Sequence, residues 1–313
     1  MRSSTTSRSS STSSSATSTA DRPGFLTSLV DDLARALGLD AARVRRTAAG
    51  GGCIADSFLV NDGRQRMFVK SMPHRSAEAL DAERDGLHRL AAAGEIRVPT
   101  VLGAGASGDT AWLALEFLDL RRADSDAMAA LGAALARLHA HTADRHGLEI
   151  DNFIGATPQR NTRDADWIGF FFDCRIGDQI ERLSRQHAGF DAELTARLRA
   201  AWTRAFGDYA PPPSLLHGDL WSGNAGALTD GTPVVFDPAV HYGDRECDLA
   251  MAALFGGFGA RFFDAYADCW PLEPGWQRRR EFYQLYHILN HANLFGGGYV
   301  DDSLTRIALL LSR

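Results

Sequence analysis

Apolar positions recur along the chain with two different periods. From Phe25 to Leu37, the residues Leu26, Leu29, Val30, Leu33 and Leu37 fall at helical spacing, which predicts an amphipathic helix. Short alternating runs follow and predict strands at Arg43–Thr47, around Ser57–Val60, and in a run ending Met67-Phe68-Val69-Lys70, with an Asn61–Asp62–Gly63 turn between the last two. A helix is expected from Ser76 to Ala93, with Ser76 as N-cap and Leu80, Leu87 and Leu90 on one face. Two more strands, Val98–Gly103 and Ala111–Phe117, complete this half. Beyond Asp119 the period is helical, over Ser125–His141, Asp164–Ser184, Ala192–Phe206 and Tyr283–Phe295. The pattern predicts an α+β fold of two lobes. Residues 23–118 form a small antiparallel sheet with one key helix, and residues 119–313 form a larger, mostly helical lobe. Residues 1–22, a run dominated by Ser and Thr, precede them.

One stretch breaks the helical pattern. Ser214 to Pro238 begins as an apolar strand end (Leu215, Leu216), becomes a polar loop from His217 to Asn224, and continues as a hairpin turning at Asp230–Gly231. Asp-Gly between apolar runs is a strong hairpin signal. The second hairpin strand (Val234, Val235, Phe236) delivers Asp237 close to Asp219 and Asn224. Phosphoryl transfer from ATP needs such a set: one carboxylate to orient and deprotonate the attacking hydroxyl, and an amide oxygen and a second carboxylate to hold Mg²⁺ across the phosphates. His217, Asp219 and Asn224 fit the kinase loop H-x-D-x-x-x-x-N. Asp237 takes the place of the metal-binding Asp of D-F-G, although Pro238 follows it rather than Phe.

Composition narrows the field. The 313 residues suffice for two lobes. A net charge of −6 argues against a general nucleic-acid binder, and no apolar run reaches membrane-spanning length. Cys53, Cys174, Cys247 and Cys269 lie far apart, without the pairing of a zinc site or a disulfide scaffold, which suits a reducing cytoplasm. Residues 2–20 hold no acid and almost no apolar side chain, so a disordered tail is expected rather than a transit peptide. Of the 33 basic residues only Lys70 is lysine. A chain otherwise committed to arginine keeps lysine where a compact ammonium is needed, as on a phosphate.

Lys70 ends an apolar strand, as in the V-A-I-K element of kinases, and follows the glycine turn Gly50-Gly51-Gly52, whose backbone N–H groups could approach phosphates. Glu83 shares a helix face with Leu80, Leu87 and Leu90 and is the favoured ion-pair partner for Lys70, with Glu78 and Asp81 as rivals. The main chain at Glu116 and Leu118, at the end of the last strand of this half, is where an adenine-binding hinge belongs. Asp244 reads as a helix N-cap, and Asp248 as an acceptor for backbone N–H groups of the catalytic loop. His287, Asn290, His291 and Asn293 crowd one helix, where they either line a substrate pocket with Trp221 or satisfy a buried network. His139 and His141 read as packed or surface residues.

These elements resemble the fructosamine (ketosamine) kinases, a branch of the aminoglycoside-phosphotransferase-like group with a protein-kinase-like fold. The carriers are GGGCI at 50–54, FVK at 68–70, LLHGDLWSGN at 215–224, FDPAVHYGDRECDLAM at 236–251 and YQLYHILNHANLFGGGY at 283–299, over a span from Phe25 to the end. His241 stands where Tyr is common in that family. The resemblance implies ATP- and Mg²⁺-dependent phosphorylation of O3 on a ketoamine, free or protein-bound, by a monomer or homodimer. The C3 phosphate is a good leaving group once the C1–C2 enaminol forms, so the adduct decomposes and the amine is freed. It also aligns Cys53 with a cysteine of redox-sensitive, disulfide-linked dimers; a small residue tolerated beside glycines is the alternative. A kinase of another hydroxylated amine, such as an aminoglycoside or choline, and a catalytically inactive nucleotide-binding homologue are the rival functions.

Overall fold

A computed structural model describes residues 23–49 and 55–312, with side chains from Leu29 onward. The Gly50–Gly52 turn, Cys53 and the segment 1–22 lie outside the described residues. The chain opens with α1 (Pro23–Leu37), followed by β1 (Arg45–Ala48), β2 (Asp56–Asn61), β3 (Arg66–Pro73), α2 (Ala77–Ala93), β4 (Val101–Ser107) and β5 (Thr110–Glu116). The strands form one antiparallel sheet in the order β1-β2-β3-β5-β4. Alternation along β3 sends Met67 and Val69 into a core with Leu29 and Leu33 of α1, and turns Phe68 and Lys70 to the opposite face, toward the central cleft.

Two local expectations need correction. Ser76 makes no capping hydrogen bond: the chain enters α2 through a 3₁₀ turn, His74–Ser76, which leaves Ser76 at φ −114°, ψ 14° instead of in the extended geometry a capping side chain needs. The strand expected from Val98 begins only at Val101. Pro99 has no N–H to give, the Arg97 guanidinium takes the Val98 carbonyl, and the Thr100 N–H goes to the Glu116 carboxylate at 3.1 Å.

The larger lobe begins with α3 (Ser125–His139), which Asp124 caps by accepting the Ala127 N–H at 2.9 Å. A small hairpin, β6 (Asn152–Ile154) and β7 (Thr157–Gln159), precedes α4 (Trp167–Phe171), a π-helical stretch at Phe172–Gly177, α5 (Asp178–Ser184) and α6 (Ala192–Phe206). The single helix expected over Asp164–Ser184 therefore starts later, at the Asp166 cap, and widens in its middle around the buried Arg175. Next come β8 (Ser214–Leu216), the hairpin β9 (Ala225–Ala227) and β10 (Pro233–Val235), β11 (His241–Gly243), and helices α7 (Glu246–Leu254), α8 (Ala260–Cys269), α9 (Trp276–Phe295) and α10 (Gly298–Leu311). No helix among the described residues is long and apolar enough to cross a membrane.

Stacked aromatic rings fill the far side of this lobe, with Phe171 and Trp202 centred 5.1 Å apart and Tyr283 edge-on to Phe171 at 5.0 Å. A second core joins the lobes. Leu80, Leu87 and Leu90 of α2 pack with Leu113 and Leu115 of the sheet and with Leu131 and Leu135 of α3. Each buried leucine contributes roughly 1.5–3 kcal/mol, so α2 is anchored to both sides of the cleft.

Candidate active site

The buried strand β8 ends at Leu216, and the chain turns at Gly218 (φ 83°) into the loop 217–224. A Cβ at position 218 would lie 2.0 Å from the Ala239 carbonyl oxygen, so the turn admits only glycine. Gly218→Ala is expected to cost roughly 3 kcal/mol or more in a denaturant melt; a loss under about 1 kcal/mol would contradict this packing. The N–H groups of His217 and Gly218 both donate to the Asp248 carboxylate from α7, at 2.7 and 2.8 Å. His139 meets the same carboxylate at 3.2 Å and the Tyr266 hydroxyl at 2.8 Å. Burial works against the Asp248 charge, but the hydrogen bonds from His139 and the loop hold its carboxyl below the usual carboxylate range.

The loop is also tied to the segment after β10. The Ala239 N–H donates to the His217 carbonyl at 2.8 Å, and the Phe236 N–H donates to the Asn224 carbonyl at 3.1 Å. The Asn224 amide donates to the Asp219 carbonyl (3.0 Å), the Asp219 carboxylate (3.2 Å) and the Asp237 carbonyl (3.4 Å), so one side chain binds both acidic segments together. Trp221 lays its ring over Gly223, where a Cβ would come within 2.2 Å of ring carbons, and stays 40% exposed at the cleft.

Across the cleft stands Lys70, 8% exposed. Its ammonium lies 2.8 Å from both Glu83 carboxylate oxygens and 2.6 Å from Asp237 Oδ1. Neither Glu78 nor Asp81 takes that role; Asp81 pairs with Arg84. Burial pulls the Lys70 ammonium toward neutrality, but the Glu83 and Asp237 charges outweigh it and keep its pKa above the ordinary lysine value. Asp237 itself sits at φ 56°, the only non-glycine positive φ among the described residues, and strain of this kind concentrates at functional sites. Burial, then the neighbouring Asp237 charge, push the Asp219 carboxyl up to about 7.

Lys70, Glu83, Asp219, Trp221, Asn224 and Asp237 line one cleft of about 910 Å³ between the lobes. Glu116 and Leu118 line its edge; the Glu116 side chain is turned away to Arg97, which leaves only main chain for a ligand. The floor is α9. His287 and Asn290, 4% and 3% exposed, line the cleft, and His287 Nδ1 and Asn290 Oδ1 have no partner among the described residues. His291 lines it too, with Nδ1 at 2.7 Å from the His287 carbonyl. Asn293 turns away to Gln179 at 2.7 Å and serves packing instead.

A profile of the fructosamine kinase family matches residues 26–313. The chain belongs to that family. Among its relatives, a probable ketoamine kinase of Synechocystis sp. is 44% identical over 257 residues, covering 81% of this chain and 86% of that one. A chloroplastic protein-ribulosamine 3-kinase of Oryza sativa subsp. indica is 36% identical over 300 residues, covering 93% and 86%. A crystal structure from Haemophilus somnus 129PT that carries a fructosamine-3-kinase assignment superposes with a TM-score of 0.83 at 29% identity, covering 92% of this chain and 98% of that one. The aminoglycoside phosphotransferase APH(4)-Ia, 16% identical with a TM-score of 0.61 and covering 92% and 98%, shares the protein-kinase-like fold.

In this member of the fructosamine kinase family, one wall of the cleft is made by residues that sequence reasoning missed. Asn152, Phe153, Ile154 and Gly155 of the β6–β7 hairpin line it. Asn152 donates to the Val240 carbonyl at 2.7 Å and accepts from Gln159 at 2.8 Å, and Gln159 in turn accepts from the Tyr286 hydroxyl at 2.7 Å. Arg175, fully buried, donates to Asn161 at 2.7 Å behind the same wall. A four-residue run of ordinary composition carries no signal of such a role. His139 was readable only as a packed or surface residue, because its link to Asp248 spans 109 positions.

Proposed function

We propose that the protein is an ATP-dependent kinase that phosphorylates O3 of ketosamines, the fructosamine or ribulosamine adducts of amines, and so acts in their repair. The carrying observation is that Asn224 ties Asp219 to the Asp237 segment and Asp237 meets the ion-paired Lys70, at one end of a cleft whose floor holds polar atoms with no partner among the described residues. Residues 23–118 serve as the nucleotide lobe and 119–313 as the catalytic lobe, with the backbone of Glu116 and Leu118 receiving the adenine and the Gly50–Gly52 turn covering the phosphates. Asp219 orients the O3 hydroxyl and takes its proton as the O3–P bond forms and the bond to the ADP oxygen breaks. Lys70, held by Glu83, contacts the α- and β-phosphates as a point charge.

Two carboxylates and a carboxamide offer oxygen donors that suit Mg²⁺, although the Asn224 amide here turns its nitrogen to both acidic segments and would have to present Oδ1 to the ion. Asn224 and Asp237 would hold that ion, which supplies neutralisation of the charge developing on the transferred phosphoryl group. Burial, then the neighbouring His291, push the His287 imidazole down to about 3, so it stays neutral at working pH and suits sugar hydroxyls instead of anions. The free thiols Cys174, Cys247 and Cys269 fit a cytoplasmic setting.

A coupled assay of ATP consumption with fructose-lysine and ribulose-lysine, set against kanamycin and choline, tests the function. The ketoamines are expected to be turned over and the others not. Preference for kanamycin or choline would move the activity to another acceptor class, and no turnover with any acceptor would leave an inactive homologue. His287→Ala is expected to raise KM for the ketoamine roughly tenfold or more, as the loss of a buried hydrogen-bonding partner predicts, with KM for ATP little changed. An equal rise in both would remove His287 from the sugar pocket.

A further inference from the structure

Helix α2 carries a glycine, Gly86, one turn after Glu83. Glycine inside a helix weakens it relative to alanine, so local propensity gives no reason for it. Packing does. Gly86 is buried, and a Cβ there would lie 3.1 Å from Pro238 Cγ and 3.2 Å from Val240 Cγ2, inside the normal approach of two carbons. The bare backbone of α2 is therefore seated on the Pro238 ring.

Pro238 is the residue where D-F-G has an aromatic. An aromatic side chain can change rotamer and give α2 two resting places; the proline ring has no such swing and fixes its own φ. The contact also closes a circuit. Glu83 and Gly86 lie three residues apart on α2, Lys70 joins Glu83 (2.8 Å) to Asp237 (2.6 Å), and Pro238 follows Asp237. An ammonium can reach both carboxylates only while α2 and the 237–240 segment keep one separation.

We propose that Gly86 and Pro238 are positioning residues whose contact sets the distance between α2 and Asp237, so that Lys70 engages Glu83 and Asp237 together without an activating modification or partner. The inference rests on the kinase function proposed above. It adds that α2 has a single seat.

The test compares Gly86→Ala, Gly86→Leu and the double variant Gly86→Ala/Pro238→Ala with the wild-type protein, reading melting temperature, ADP affinity and steady-state kinetics. Gly86→Ala is expected to keep its melting temperature within about 3 °C while kcat falls about three- to tenfold and ADP binds several-fold more weakly. KM for the ketoamine stays within about twofold, since the floor on α9 is untouched. Gly86→Leu is expected to lose roughly 100-fold in kcat, the scale of an ångström misplacement. Trimming Pro238 in the Gly86→Ala background is expected to restore at least about half of the lost ADP affinity, as coupling between touching residues requires. Wild-type kcat and ADP affinity in folded Gly86→Leu would overturn the proposal. So would a loss that follows the folded fraction alone, or a double variant no better than Gly86→Ala. If the wild-type protein consumes no ATP with ketoamine, the kinase function falls separately, and the ADP-affinity arm still decides whether the seat exists.

Discussion

Asp219→Asn is expected to lower kcat by roughly 10²–10⁴-fold, the range of a lost general base, while ADP binding is nearly unchanged. The asparagine keeps the shape and the contact with Asn224 but cannot take a proton. The same change is expected to raise the melting temperature at pH 8. The folded carboxyl titrates near 7 against an ordinary 3.8. Its contribution to stability is thus fully present below the ordinary value and is lost as pH rises through about 7, where a charge must be carried in the closed cleft. The full displacement would be worth roughly 4 kcal/mol at 1.36 kcal/mol per pH unit. Because the group still meets cleft water, about 1–2 kcal/mol is expected, or a few degrees. At pH 3 the carboxyl is largely protonated in both the folded and the unfolded chain, and the two proteins should melt nearly together. In the wild-type protein kcat/KM is expected to rise with pH through about 7 as Asp219 ionises. Wild-type turnover by Asp219→Asn would end its assignment as base, and an equal melting difference at pH 3 and pH 8 would refute the electrostatic account.

The second large effect belongs to Lys70. Lys70→Met strands the Glu83 carboxylate, whose side chain is 13% exposed, and is expected to destabilise by roughly 3 kcal/mol, the low end for breaking a buried pair, since Asp237 remains open to the cleft. Activity should be abolished. Lys70→Met/Glu83→Gln should regain most of the stability and none of the activity, because the stranded charge has gone with its partner. Lys70→Arg keeps the charge and should fold, yet turnover is expected to fall by roughly 100-fold, since a broad planar fork cannot take the place of a point charge between two acids and a phosphate. Turnover near the wild-type level in Lys70→Arg would remove the argument for lysine at this position.

The chemistry was far more legible in the sequence than the scaffolding around it. Asp219, Asn224 and Asp237 could be placed together because a local hairpin of short range joins them, and Lys70 with Glu83 because strand and helix periods set the faces of both. Local pattern failed where long-range partners decide. Arg97 and Glu116 delay β4, and Asp166 sets the start of α4. The β6–β7 wall is assembled from hydrogen bonds that reach up to 127 positions along the chain. Helix propensity gives no reason for Gly86; its close approach to Pro238 and Val240 does. Of the four polar residues on α9, periodicity could not tell that three face the cleft while Asn293 serves Gln179.

The isolation of Lys70 bears on the molecule's own chemical durability. Reducing sugars attack unprotonated primary amines that solvent can reach, and the guanidinium groups that make up the rest of the basic complement do not enter that condensation. The sole ε-amine is walled in and held cationic by two acids. Apart from its α-amino group, the folded chain offers glucose or ribose nothing to modify, so a catalyst working among glycated amines is built from material that resists becoming one.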